Sequence, residues 1–302
     1  MKCVFIYNPV SGSGTIAKKL TKIKTSLAEV YEEVVIRPTQ AQGDTTRYAR
    51  EAVGVYDTIV FAGGDGTFNE IVQGIADAKN PPKLAYIPCG TVNDIAHTLK
   101  ISRNIKKALK VIKENRSEKL DCMKVNDHYA MYFVAAGTFT NVSYTTPQDE
   151  KNNFGKIAYF IEGVQDVSLE SFKLTCKGNH TKQRANSIFI CFINSRYVSG
   201  FKMNKQASLQ DGEIEVAIIH PKQKKSFWRK LVSLISLVWL FCGGYKQKNE
   251  NLVRLHGSHF DVDVSNEVVW TIDGEKGCRG KIHVEVLPRK IEVIVPKKLK
   301  KI

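Results

Sequence analysis

The sequence predicts a doubly wound α/β domain followed by a mainly antiparallel β-sandwich domain, over residues 1–124 and 125–302. Three observations carry this expectation. The chain has 302 residues, long for one core and comfortable for two, and 43% of them are hydrophobic, which excludes wholesale disorder. Through the first 120 residues short apolar runs alternate with helical patterns, the rhythm of a parallel sheet. From about Tyr129 strands dominate, bounded by Gly, Asn, Asp and Lys clusters.

Taken in order, Lys2–Tyr7 reads as a buried strand and Thr15–Val30 as a basic amphipathic helix. Glu32–Arg37, Thr58–Phe61, Lys83–Ile87 and Lys119–Val125 read as further strands. Asp44–Val53, Phe68–Ala78, Val92–Leu99 and Ile105–Glu114 read as the helices between them. The boundary is placed at the Lys124-Val125-Asn126-Asp127-His128 turn. Beyond it, strands are expected at Tyr129–Val134, Ser171–Cys176, Ser187–Ile193, Glu213–Ile219, Phe260–Val264, Val268–Ile272 and Ile282–Val286. Helical stretches interrupt them around Gly155–Val164 and Phe227–Phe241, and the tail 290–302 is expected to pack back on the first domain.

The formal charge of +15 points to anionic partners: nucleic acid, phosphorylated ligands or an anionic membrane face. A nucleic-acid module is disfavoured, because neither a known motif nor aromatics interleaved with the basic residues are present. Cysteines at 3, 89, 122, 176, 191, 242 and 278 form no C-x-x-C pair, so they read as reduced thiols in a cytosol. The opening apolar run reaches Asn8-Pro9 too soon for a signal-peptide core.

The most informative stretch is Val60-Phe61-Ala62-Gly63-Gly64-Asp65-Gly66-Thr67-Phe68-Asn69-Glu70. A strand ends, glycines follow and a helix begins. Glycines admit close backbone approach to a phosphate, and a helix N-terminus offers N–H groups and partial positive charge. An aspartate there would repel phosphate unless Mg²⁺ stands between them, which makes Asp65 a metal-side residue. A plain β–turn–α connection is the alternative. Neither the Walker A pattern nor G-x-G-x-x-G fits.

Gly63-Gly64-Asp65-Gly66-Thr67 resembles the signature of the diacylglycerol kinase catalytic family, shared with NAD kinases and sphingosine kinases. Asn8-Pro9-Val10-Ser11-Gly12 looks like that family's first nucleotide loop, Pro88-Cys89-Gly90-Thr91-Val92-Asn93-Asp94 like its third motif, and Asp273-Gly274-Glu275 like its catalytic motif. NAD kinases share the first two motifs but not the later ones. The resemblance implies an NAD-kinase-like first domain, ATP and Mg²⁺ as cofactors, and transfer of the γ-phosphate to a lipid hydroxyl. Diacylglycerol is the leading acceptor. A sphingoid base, phosphatidylglycerol, a soluble NAD-kinase-like reaction and a non-enzymatic basic membrane protein are the alternatives. His97, the Ala136-Gly137-Thr138-Phe139 turn and Lys205 depart from the family pattern and leave the acceptor less defined than the reaction.

By resemblance, nucleotide falls to Asn8, Ser11, Gly12, Thr39, Gly63, Gly64, Asp65, Gly66, Thr67, Asn69, Thr91 and Asn93. Lys18 and Lys19 could reach phosphate or form a solvated helix face. Asp65, Asp94 and Asp121 follow strand or loop ends of one sheet and would hold Mg²⁺ through water; Asp94 could instead cap a helix, and Asp121 could serve a turn. Glu275 is the catalytic base by resemblance alone, Asp-Gly being a common hairpin turn; Asp65 is the other catalytic residue. Ser208, Asp211 and Glu213 match the family's structural Mg²⁺ motif, with an Asp-Gly turn as the alternative.

In residues 221–244 the unbroken low-polarity part, Leu231–Cys242, is too short to span a bilayer. Trp228 and Trp239 beside Lys222, Lys224, Lys225, Arg229 and Lys230 suit an anionic membrane surface; a helix covering the β domain is the alternative. The enzyme is therefore expected to be cytoplasmic and peripherally membrane-associated, taking a lipid substrate from an anionic surface, and a homodimer is compatible with the sequence.

Overall fold

The computed structural model describes residues 1–10, 14–137, 171–179, 181–221, 235–237, 239–241, 245, 249–297 and 299. The expected helix at Gly155–Val164, the Thr138-Phe139 part of the expected turn, Ser11, Gly12 and the lysine-rich start of the 221–244 stretch lie outside these residues. The chain forms two compact units. One comprises Met1–Tyr132, Ser208–Gly212 and Val286–Ile302; the other comprises Phe133–Ala207 and Glu213–Glu285.

Among the described residues, the first unit runs β1 (Lys2–Tyr7), α1 (Thr15–Lys18), α2 (Leu20–Ala28), β2 (Glu33–Pro38), α3 (Asp44–Ala52), β3 (Thr58–Gly63), α4 (Asp65–Ile75), β4 (Lys83–Pro88), α5 (Asp94–Thr98), α6 (Ile105–Glu114), β5 (Ser117–Val125) and β6 (His128–Ala130). The strands β2-β1-β3-β4 lie side by side and all parallel. β1, β3 and β4 are buried along almost their whole length, as parallel strands covered on both faces must be, hence their unbroken apolar runs. α2 and α6 cover one face, with Ile23, Leu27, Leu109 and Ile112 packed on Phe5, Val60 and Ala85. The expected helix over Thr15–Val30 breaks at Lys19, whose backbone leaves the helical region. α4 begins at Asp65 rather than Phe68, because Gly64 is itself the N-cap and an acid in the first turn suits the positive helix end.

The second unit contains β7 (Phe133–Gly137), β8 (Phe172–Gly178), β9 (Lys182–Ser187), β10 (Phe189–Ile193), β11 (Ile214–Ile219), β12 (Leu252–Gly257), β13 (His259–Val264), β14 (Val269–Ile272), β15 (Glu275–Arg279) and the start of β16 (Ile282–Ile294). One antiparallel sheet has the order β12-β11-β10-β7-β14-β15; the other runs β16-β13-β8-β9. Their inner faces meet at Phe192, whose ring lies 5.7 Å from Phe260 and 6.1 Å from Trp270. The buried Trp270 indole donates to the Gly280 carbonyl at 2.8 Å, so its one polar atom is satisfied. The later part of β16 belongs to the first unit, where Val293 pairs with Leu84 of β4.

Three strands absent from the sequence reading, β9, β12 and β15, stand at sheet edges. Edge strands carry charged side chains that blunt further pairing, so Lys182–Ser187 and Glu275–Arg279 show no apolar alternation. The run Tyr129–Val134 splits into β6 and β7, which fall in different units. β16 continues well past Val286 through Pro288-Arg289, where Arg289 takes a positive φ of 51°.

Phe192→Ala is expected to cost about 3–5 kcal/mol, as for other buried aromatics truncated in a core. Denaturant unfolding followed by tryptophan fluorescence measures it; a loss below about 1 kcal/mol would mean that the contact between the two sheets is not carried by this ring.

Candidate functional site

Because β1 to β4 are parallel, the loops that follow them all emerge at one edge of the sheet. β1 connects to β2 on one side while β3 lies on the other, and such a reversal opens a crevice at the carboxyl ends of the strands. A cleft of about 530 Å³ occupies this edge. Asn8, Pro9 and Val10 line it after β1, Thr39 to Gln42 after β2, Thr45 from α3, and Thr67 and Glu70 from α4. Asn8 shapes its own loop by accepting the Val10 N–H at 3.0 Å, and the Thr39 N–H is tied to the Tyr7 carbonyl at 2.9 Å. Of the residues expected to hold nucleotide, Asn8, Thr39 and Thr67 thus share one cavity. Gln40, Gln42, Thr45 and Glu70 are additions; the available signal was Gly43-Asp44 directly before a helical pattern.

The wall after β2 is organised by Asp44. One carboxylate oxygen accepts the N–H of Gln40 at 2.8 Å and of Ala41 at 3.0 Å. The other meets the Arg47 guanidinium at 2.7 Å. The Arg47 hydrogen bond, then those two N–H groups, hold the Asp44 carboxyl down to about 2.

The glycine loop after β3 is set against the loop after β4. The Gly63 carbonyl accepts the N–H of Cys89 at 2.9 Å and of Gly90 at 3.2 Å. Gly64 and Gly90 approach so closely that a Cβ on Gly90 would lie 2.4 Å from the Gly64 Cα. Asp65 reaches across to the start of α5, accepting the N–H groups of Asp94 at 3.0 Å and Ile95 at 3.2 Å. Burial pushes the Asp65 carboxyl up, and the backbone N–H groups and His97 offset this only in part.

Asn93 and Asn69 are scaffold residues in this geometry. Asn93, at φ 60°, is buried; its amide accepts from Gly90 N–H at 3.0 Å and from Tyr86 Oη at 3.0 Å, and donates to the Gly90 carbonyl at 2.6 Å. Asn69 donates to the Tyr129 carbonyl at 3.0 Å. Gln73 holds both the Tyr129 carbonyl and its N–H, and the Tyr129 hydroxyl donates to Asp77. Asp94 is buried at the first position of α5, next to Asp65.

Asp121 is also buried. Its two oxygens accept the N–H of Gly212 and of Arg289, each at 2.7 Å, which ties β5 to the segment containing Ser208 and Asp211 and to β16. Among the described residues no group of three acidic, histidine or cysteine side chains is gathered as a metal cage.

In the second unit, Asp273 and Gly274 both take positive φ, 49° and 90°, and close the hairpin between β14 and β15. Asp273 is buried, exchanging hydrogen bonds with the Phe133 backbone at 3.0 Å. Glu275, the first residue of β15, is exposed. Glu213, the remaining member of the expected structural Mg²⁺ motif, lies just before β11 in this unit.

Comparison with known proteins places these features. Residues 2–125 match the diacylglycerol kinase catalytic domain, and residues 133–295 match the YegS C-terminal NAD kinase beta sandwich-like domain. The chain is 32% identical over 296 residues to the diacylglycerol kinases of Staphylococcus aureus strains JH9 and Newman, covering 96% of this chain and 91% of theirs. A crystal structure of a diacylglycerol kinase from Bacillus anthracis str. Sterne superposes with a TM-score of 0.79 at 25% identity, covering 99% of this chain and 98% of that one.

Gly90→Ala is expected to destabilise the first unit by about 1–3 kcal/mol, the usual cost of forcing extra volume into packed backbone. Thermal unfolding of Gly90→Ala beside Cys89→Ala, a neighbour in the same loop, measures it. Equal midpoints for Gly90→Ala and wild type would show that the two loops part without cost.

Proposed function

Because the chain belongs to the diacylglycerol kinase catalytic family, we propose that it transfers the γ-phosphate of ATP to a lipid hydroxyl, with diacylglycerol as acceptor and phosphatidic acid as product. The observation that carries this reading is the set of loops at one sheet edge: Asn8, Thr39 and Thr67 in one cleft, beside the Gly64–Gly90 contact and a buried aspartate.

Phosphoryl transfer needs alignment, charge neutralisation and a group to take the hydroxyl proton. Alignment falls to the cleft. The N-terminus of α4, opened by Gly64, supplies N–H groups and partial positive charge for phosphate oxygens. Asp65 and Asp94, adjacent where the two loops meet, are oxygen donors of the kind a hard cation takes, and a bound cation would offset the burial that raises the Asp65 carboxyl. Mg²⁺ bound there would neutralise charge developing on the transferred phosphate. Asp65 meanwhile holds the start of α5 against the glycine loop.

Glu275 is assigned to the proton. The hairpin turn buries Asp273 and leaves Glu275 exposed at the first position of β15. A carboxylate suffices when proton transfer is late, with the alcohol already bonding to phosphorus.

The lipid must be met at a membrane. Among the described residues no helix is long and apolar enough to cross one. Helical residues 235–237 and 239–241 bury Leu237 and Leu240, while Ile235 and Trp239 are 47% and 52% exposed. Four residues apart, these two share a helix face, which suits insertion at the headgroup level. The enzyme would then work from the cytoplasm as a peripheral protein, where ATP and an anionic membrane surface meet.

The decisive assay is an acceptor screen with labelled ATP against extracted lipids and against NAD. Label in phosphatidic acid is the expected result; label in NAD phosphate, or in no lipid, overturns the proposal. Glu275→Gln should lower turnover by about 10²–10⁴-fold with ATP binding retained; loss of ATP affinity at unchanged turnover would move Glu275 to nucleotide binding. Ile235→Ala with Trp239→Ala should weaken co-sedimentation with phosphatidylglycerol vesicles and leave turnover of a short-chain soluble diacylglycerol unchanged. Normal vesicle binding by the double variant would make this helix face structural.

A further inference from the structure

We propose that Asp44 is a positioning residue for nucleotide binding: it sets the backbone of the Thr39–Gln42 wall, against which the uncharged base-and-ribose half of the nucleotide lies. The assignment rests on the nucleotide reading above and deepens it.

The reasoning starts from where the chain leaves the sheet. β2 ends at Pro38, and the Thr39 N–H still has the Tyr7 carbonyl as partner. The next two N–H groups, of Gln40 and Ala41, have no strand beside them, and a loop at a cleft must satisfy such donors by water or by a side chain. Asp44 does so with a single carboxylate oxygen at 2.8 and 3.0 Å. Gly43, at φ 87°, turns the chain so that the carboxylate of the first α3 residue can face back on the loop. Hydrogen bonds to an ionised acceptor are the stronger kind, and two on one oxygen define the path of the intervening backbone.

The carboxylate is itself held. Its second oxygen meets Arg47 at 2.7 Å; Arg47 also pairs with Glu51 at 3.2 Å and lies 4.5 Å from the centre of the Tyr48 ring. The Asp44 charge is therefore used within the loop and toward Arg47, and Asp44 does not line the cleft. What the wall presents is Thr39, Gln40, Gln42 and Thr45, with hydroxyl or amide side chains, and the Ala41 methyl, with no ionic side chain. Such a surface suits a heteroaromatic base edge and sugar hydroxyls better than phosphate. Glu70, an acidic residue of the same lining, adds negative charge there, which disfavours phosphate. The phosphates are left to the glycine loop and the N-terminus of α4.

The test measures binding of a fluorescent trinitrophenyl-ATP and its displacement by MgATP, together with KM for ATP and turnover on saturating diacylglycerol, for wild type, Asp44→Ala, Asp44→Ser and Arg47→Ala. Asp44→Ala should raise KM and Kd for ATP about tenfold or more with turnover changed by less than about threefold, the signature of lost nucleotide binding alone. Asp44→Ser, whose hydroxyl can accept from the same loop, should recover part of the affinity. Arg47→Ala keeps both loop hydrogen bonds and should weaken binding less than Asp44→Ala does. Circular dichroism reports folding, and if Asp44→Ala does not fold, the ranking of Asp44→Ser against Arg47→Ala decides: equal or greater weakening by Arg47→Ala overturns the assignment. Wild-type affinity in Asp44→Ala, or a loss confined to turnover, also overturns it. A wild-type chain that binds no MgATP overturns the kinase reading and this inference with it.

Discussion

At the carboxyl edge of the parallel sheet two backbones meet at Gly64 and Gly90, with no room for a side chain on the second. The neighbouring polar geometry follows from that approach. It brings the Cys89 and Gly90 N–H groups to the Gly63 carbonyl, and it puts the start of α5 within reach of Asp65. The loop after β4 holds its shape because Asn93 bridges both polar atoms of Gly90 and meets the Tyr86 hydroxyl, while Arg103 donates to the Gly90 carbonyl at 2.9 Å. An asparagine accepts the left-handed φ there more readily than most residues do, which suits it to this position.

A second constraint concerns where the chain enters and leaves the first unit. Asp121 accepts backbone N–H groups from Gly212 and Arg289, and both segments return to this unit after excursions into the other. Asn69 and Gln73 of α4, and Asp77 just past its end, hold the backbone and hydroxyl of Tyr129 shortly before the chain first departs. In both places a buried polar side chain is matched to main-chain groups that have no sheet partner there. Removing one partner from such a pair leaves the other buried and unsatisfied, which costs more than the bond itself contributes. The same helix that offers its N-terminus at Gly64 therefore also anchors a departing strand.

Much of this was legible in the residue order. The strands β1, β3 and β4 appear as unbroken apolar runs, and the glycine-rich segment between β3 and α4 announces a close backbone approach. The antiparallel character of the later chain was also visible. The edge strands β9, β12 and β15 were not, because an edge is defined by what lies beside it and its exposed residues follow no apolar period. The return of the tail to the first unit was expected from residue 290 and begins at Val286; the division at Tyr132 and the return of 208–212 depend on long-range pairing that local composition does not encode.

Residue type and spacing by themselves determined the fold class, the family and the short motifs, since these rest on local backbone conformation and on which side chains can accompany phosphate chemistry. Only the tertiary structure decided which polar residues face a ligand-sized cavity and which face the protein's own backbone. Asn8, Thr39 and Thr67 line the cleft; Asn69 and Asn93, equally polar, hydrogen-bond main-chain groups. Gln40, Gln42 and Thr45 entered the wall because Asp44 folds back on its own loop. A side chain's role depends on which unsatisfied donors or acceptors lie within about 3 Å of it, and that is a property of the folded chain.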